Sequence, residues 1–260
     1  MSTKKYWTKE DDATRNVAMP NEMISDLKKW REEGLLKSPL HQEFAYSYYW
    51  LVAYLWRYAK YAEFEVSQKT LKKMLGYSEN EKRINYIISR NGLLDKMGYT
   101  ESVKDFPVGW SFANGSKLDF EMWSKLDKEF QKDLFHFRTN RYLVKKPLKS
   151  MGINNVKGLF WEPVKAHMVS GEVFKKCMNN KNLSCAGFYL YGIFTYMSDV
   201  NINLFDQIAF RCSNKSLMEL TGWSEDRLIR VTNELRDQNV IKKWQPYKGK
   251  GYVNNYEIIL

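Results

Sequence analysis

SQKTLKKMLGYSE, Ser67–Glu79, returns 146 residues later as SNKSLMELTGWSE, Ser213–Glu225. Six of its 13 positions are identical: Ser67/Ser213, Lys69/Lys215, Leu71/Leu217, Gly76/Gly222, Ser78/Ser224 and Glu79/Glu225. Each copy spells two short helices joined by a tight turn. Ser67 and Ser213 offer a hydroxyl to an N–H of the first turn that has no partner within the helix. Leu71, Met74 and Leu75 in the first copy, and Leu217 and Leu220 in the second, have the three-and-four spacing of a buried stripe. Gly76 and Gly222 end the helix, where the chain needs a positive φ. Ser78 and Ser224 then open a second helix. Glu81 completes a capping box in the first copy, and Arg227 takes that position in the second.

The likeness continues outward. With one residue inserted, Arg83/Arg230, Ile84/Val231, Ile88/Leu235 and Leu94/Ile241 align along the second helix. Upstream, Phe64 and Val66 stand against Phe210 and Cys212, in the alternation of a short strand. Downstream of the second copy, Val240–Trp244 reads as a strand, residues 247–251 as a Lys- and Gly-rich loop, and Tyr252–Leu260 as a returning strand. In the first copy, Val108–Phe112 and Lys117–Glu121 form the equivalent hairpin around Asn114 and Gly115. Helices are further expected over Asn21–Glu33, Phe44–Tyr61, Met122–Phe137, Gly171–Met178 and Asn182–Met197, with Trp123, Leu126, Phe130 and Leu134 on one buried stripe of the third.

Helix, strand, helix, turn, helix, hairpin is the order of a winged helix. Each copy resembles a winged helix-turn-helix DNA-binding domain, and the pair resembles the tandem winged-helix initiators of plasmid and phage replication. The expected fold class is therefore mainly α (α+β), with two tandem winged-helix domains, each a three-helix core with a short β-hairpin wing. The expected organisation is an N-terminal arm and helix over 1–40, winged-helix domain 1 over 41–136, a basic connector over 137–181 and winged-helix domain 2 over 182–260. The resemblance implies a double-stranded DNA-binding protein that recognises origin repeats. A transcriptional regulator at an operator is the alternative, and a non-enzymatic adaptor using winged helices for protein contacts is the alternative of another class.

Charge points the same way. The 260 residues carry a net charge of +11 and a pI near 9.3, and 44% hydrophobic residues suffice for folded cores. Residues 137–181 hold ten Lys or Arg against Glu162 and Glu172, which is +8 of the total. An excess gathered in this way suits a polyanion. Arg138, Arg141, Lys145 and Lys146 in this stretch are candidate phosphate contacts.

In a winged helix the second helix of the turn motif enters the major groove. Placing Ile84, Ile87 and Ile88 inward turns Lys82, Tyr86 and Ser89 outward, flanked by Arg83, Asn85 and Arg90. In the second copy Arg227, Arg230 and Asn233 face outward beside Asp226, Glu234 and Asp237, and Lys248 and Lys250 project from the wing. The first copy is thus expected to supply base readout. The second is expected to rely on phosphate contacts or a protein partner.

No catalytic constellation accompanies these features. His41, His136 and His167 are scattered without a second ligand at metal spacing, and no Gly-rich phosphate loop is present, so neither enzyme activity nor cofactor is expected. Cys177, Cys185 and Cys212 lack paired zinc spacing and read as buried thiols of a reducing compartment. The longest apolar run, Tyr48–Trp56, falls far short of the ~20 residues that span a bilayer, and Met1–Asp12 lacks the apolar core of a signal peptide, so a cytoplasmic address is expected. Replication or transcription proteins are expected as partners, and a homodimer is possible in principle although no coiled-coil seam marks one.

Overall fold

Both serines that open the repeat cap helices. Ser67 Oγ accepts from Thr70 N at 3.2 Å and Ser213 Oγ from Ser216 N at 3.0 Å. The computed structural model describes residues 15–63, 66–113, 117–134, 144–149, 165–205, 209–245 and 253–260. In chain order their elements are β1 (Asn16–Pro20), α1 (Glu22–Glu32), α2 (Pro39–Arg57), α3 (Gln68–Met74), α4 (Asn85–Ile88), α5 (Leu93–Lys96), β2 (Thr100–Val103), β3 (Pro107–Ala113), β4 (Lys117–Met122), α6 (Lys128–Leu134), β5 (Val144–Pro147), β6 (Ala166–Ser170), α7 (Gly171–Asn179), α8 (Ser184–Phe205), β7 (Phe210–Cys212), α9 (Asn214–Thr221), α10 (Glu225–Asp237), β8 (Ile241–Trp244) and β9 (Asn254–Ile258). Helix takes 53% and strand 20% of the described residues, so the class is α+β with small sheets.

The chain divides into two compact units, Met1–Ser47 with Lys165–Leu260, and Tyr48–Val164. This differs from the organisation expected above. Residues 1–14 of the expected arm lie outside the described residues, and Asn16–Pro20 is strand β1, which pairs antiparallel with β6, Val17 opposite Val169 and Met19 opposite His167. Within 137–181 the described residues, 144–149 and 165–181, fall in different units. β5 pairs with β2 in one unit, while β6 and α7 belong to the other. The reason is visible in α7, where Val173, Phe174, Cys177 and Met178 are buried and the lysines ride on the remaining faces of a packed helix. Arg138 and Arg141 lie outside the described residues.

In the discontinuous unit, α8 is the central helix. Phe188 packs edge-on to Phe174, and Phe194 stacks on Tyr256 with centroids 4.7 Å apart. Strands β7, β9 and β8 form one antiparallel sheet with β9 in the middle. Tyr46 of α2 approaches α8 at Gly192, where any Cβ would overlap the Tyr46 ring and hydroxyl, so only glycine permits the contact. Cys177, Cys185 and Cys212 are buried thiols outside any disulfide, as expected.

The other unit contains the first repeat. α3 ends at Gly76, whose φ is 79°, but the expected helix from Ser78 does not form. Residues 78–84 turn instead, and only Asn85–Ile88 is helical before Asn91 takes a φ of 57°. Local hydrogen bonds explain the loss. The Glu81 carboxylate is claimed by Arg83 N, Nε and Nη2 rather than by the Ser78 N–H, and Lys72 Nζ holds Glu81 O at 2.6 Å. β3 and β4 form the expected hairpin. Phe130 of α6, expected on a buried stripe, is 62% exposed.

His167 sits fully buried on β6 between two partners. Its Nδ1 donates to Asn21 Oδ1 at 2.9 Å and its Nε2 accepts from the Tyr46 hydroxyl at 2.9 Å, an arrangement that needs the neutral ring. Burial pushes its pKa down to about 3. An unfolded histidine binds a proton below about 6.5, so the stability His167 contributes is present above that pH and is lost as pH falls toward 3. The stability gap between the wild-type chain and His167→Asn, measured by urea unfolding, is therefore predicted to narrow by roughly 1 kcal/mol per pH unit from pH 6 to pH 4. A gap independent of pH would contradict a buried neutral imidazole.

Candidate nucleic-acid interface

The second copy of the repeat is a complete helix–turn–helix. Gly222 ends α9 with a φ of 70° and donates its N–H to Met218 O, and Ser224 Oγ accepts from Arg227 N to cap α10. Thr221 Oγ1 donates to Leu217 O at 2.7 Å and accepts from Trp223 N, tying the two sides of the turn together. Leu228, Val231, Thr232 and Leu235 bury one side of α10. The spacing leaves Asp226, Ile229, Arg230, Asn233 and Arg236 on the other.

Residues from the start of the same unit hold this turn from behind. Arg31 of α1 donates to Glu219 O at 2.7 Å and Leu220 O at 3.0 Å, placing a cation on the open carbonyls at the C-terminus of α9. Gln42 of α2 accepts from Arg31 Nη1, donates to Leu220 O at 2.8 Å, and donates to the Tyr189 hydroxyl. Beside it, Glu43 accepts from Trp223 Nε1 at 2.7 Å and from Arg227 Nη2 at 2.9 Å, and the Arg227 guanidinium lies 4.8 Å from the Trp223 ring centre. The Glu43 side chain is 2% exposed. Burial raises its pKa to about 7, against the Arg227 charge and the Trp223 and Arg227 hydrogen bonds that lower it.

Arg227, expected at the DNA, is thus turned inward as the partner of a buried carboxylate. Arg230 is exposed and Asn233 half-buried, both on the outward side of α10. Of the acids near them, Glu234 is engaged by Asn180 Nδ2 at 2.7 Å, Asp237 by Arg236 and Glu225 by Asn214 Nδ2 at 3.3 Å, while Asp226 is exposed at the first turn. On β8, Lys242 and Trp244 are exposed. Lys248 and Lys250 lie outside the described residues.

The first copy presents a different surface. Lys82, Arg83 and Arg90 are exposed, with the Arg83 side chain 82% exposed and paired with Glu81 at 2.8 Å. Hydrogen bonds from Arg83 hold the Glu81 carboxyl down to about 2. Lys69 and Lys73 add charge from α3, Lys73 beside Glu79. Asn85 Oδ1 is occupied by Lys72 Nζ at 2.6 Å, and Tyr86 and Ser89 are half-buried. The candidates therefore do not share one reading helix: Lys82 and Arg83 sit on a turn and the rest on or after a four-residue helix.

Lys145, expected at a phosphate, is turned inward instead. Its Nζ lies 2.7 Å from both Asp95 oxygens and 3.0 Å from Ser89 O, and its side chain is 7% exposed. Thr100 and Ser102 hydroxyls and Asn91 N complete the bonds to Asp95, so β5 presents Lys145 inward to meet a half-buried carboxylate. Lys146, half-buried, stands opposite Glu101 on β2.

Sequence reasoning missed Arg31, Gln42 and Glu43, because nothing in their neighbourhood signals a partner nearly two hundred residues away. Among the described residues no helix is long and apolar enough to cross a membrane, and no His, Cys, Asp and Glu gather at metal-binding distance. No protein-family model, no curated protein and no solved structure matches the chain.

A carboxyl raised from 4.5 to about 7 gives stability that is present below pH 4.5 and lost as pH rises through 7. The advantage of the wild-type chain over Glu43→Gln in urea unfolding is accordingly predicted to be larger at pH 5 than at pH 8. The opposite order would mean that the Arg227 pair outweighs desolvation.

Proposed function

We propose that this chain binds double-stranded DNA, that residues 182–260 carry a winged helix within the unit formed by residues 1–47 and 165–260, and that α10 is its groove-reading helix. One observation carries the reading: α8, β7, α9, α10 and the β8–β9 hairpin follow in winged-helix order, with the returning strand β9 placed between β7 and β8. That arrangement leaves α10 backed by its neighbours on one side and open on the other, as a helix entering a major groove must be. The net charge of +11 supports a polyanionic partner.

The roles expected of the two copies are exchanged in this proposal. Base readout falls to α10, the only second helix of the pair long enough to lie along a groove, through Arg230 and Asn233. The turn carrying Lys82 and Arg83 neutralises phosphates without reading sequence. By analogy with tandem winged-helix initiators, the targets proposed are the repeats of a plasmid- or phage-type replication origin.

Selection of duplexes from a random pool by the full chain supplies the test site, and its position at an origin or an operator separates initiation from transcriptional control. On that site, Arg230→Ala is expected to lose discrimination against single-base variants by about tenfold or more. Lys82→Ala/Arg83→Ala is expected to weaken selected and random duplexes alike and to reduce the slope of log affinity against log salt by about two. Equal loss of discrimination in both variants would refute the division of roles, and failure to retain any duplex at low salt would refute DNA binding.

A further inference from the structure

α10 satisfies its packing with Leu228, Val231, Thr232 and Leu235, all buried. Ile229 stands apart from them on the outward side, 38% exposed. One turn further on, at i+4, comes Asn233, so the two side chains lie along one ridge of the helix, with Arg230 on the next ridge. An isolated exposed isoleucine needs no special explanation. An isoleucine in line with Asn233, at the flank of the open face of this helix, presents a chemical pair with a matching target. In the major groove the C5 methyl of thymine is the one apolar group on a base edge, and adenine is the base whose N6 and N7 fit an asparagine side chain.

Taking the double-stranded DNA reading above as its premise, we propose that Ile229 is a specificity residue that contacts a thymine methyl group, and that with Asn233 it directs α10 to A·T pairs. Arg230 then reads guanine or holds the adjoining phosphate. Ile229 supplies no charge, so its contribution is independent of salt and confined to thymine positions. This separates it from every cationic contact on the protein.

The test uses the full chain and the duplex recovered from the random pool, resynthesised with deoxyuridine in place of each thymidine in turn, which removes one methyl group and leaves the hydrogen-bonding edge intact. For the wild-type chain, substitution at one or two thymidines is expected to weaken binding about fourfold, the size that burial of one methyl group supports. Ile229→Ala is expected to bind the thymidine and deoxyuridine duplexes equally, and Ile229→Val to keep most of the discrimination. Because Ile229 is exposed, both variants are expected to unfold in urea as the wild type does. Indifference of the wild-type chain to deoxyuridine at every position would overturn the Ile229 assignment while leaving DNA binding standing, and so would an Ile229→Ala variant that still discriminates. Recovery of no duplex from the pool would overturn the DNA reading itself and this assignment with it.

Discussion

A buried carboxylate with two donors, Glu43 between Trp223 and Arg227, is the constraint on which the α9–α10 turn depends. A carboxylate this deep is expensive to desolvate, and removing one partner of such a pair typically costs 3–5 kcal/mol, so the residues around it are held to one arrangement. Trp223 lies immediately after Gly222 and Arg227 lies in the first turn of α10, so the carboxylate grips the chain on the far side of the turn. Arg31 and Gln42 grip the near side through the carbonyls of Glu219 and Leu220. Between these two holds the direction of α10 relative to α9 has little freedom. Gly222 belongs to the same device, since a Cβ there would come within 2.5 Å of Arg31 Nη1.

The arrangement ties the beginning of the chain to its end. β1 beside β6, His167 between Asn21 and Tyr46, and Arg31 on α9 are contacts between residues separated by more than a hundred positions. Each demands loop closure before it rewards folding. The unit therefore cannot be read as the 79 residues that the repeat alone delimits. Its helix–turn–helix is held in place by helices from the opposite end of the chain.

What was legible in the sequence was what is local. Serine caps at Ser67, Ser213 and Ser224, the left-handed glycines, and the strands around α9 and α10 each follow from a few neighbouring residues, and each forms. The second helix of the first copy was also a local inference, and it fails through interactions that letters do not show: Lys72 holding Glu81 O and Asn85, and Arg83 drawing in the Glu81 carboxylate. Lys145 and Arg227 look available to DNA in the sequence because charge there carries no sign of burial. Their partners, Asp95 and Glu43, lie 50 and 184 residues away. The two copies consequently share a capped first helix and diverge after the glycine, one into a basic turn and the other into a thirteen-residue helix with an open face.

The claim at the centre of this account is that the open face of α10 meets DNA in the major groove. It is tested most directly by irradiating the full chain on duplex DNA carrying 5-iododeoxyuridine, whose iodine projects into that groove, and mapping the crosslinked peptides. Adducts are expected within Glu225–Trp244. Adducts confined to other segments, with none in that stretch, would contradict it.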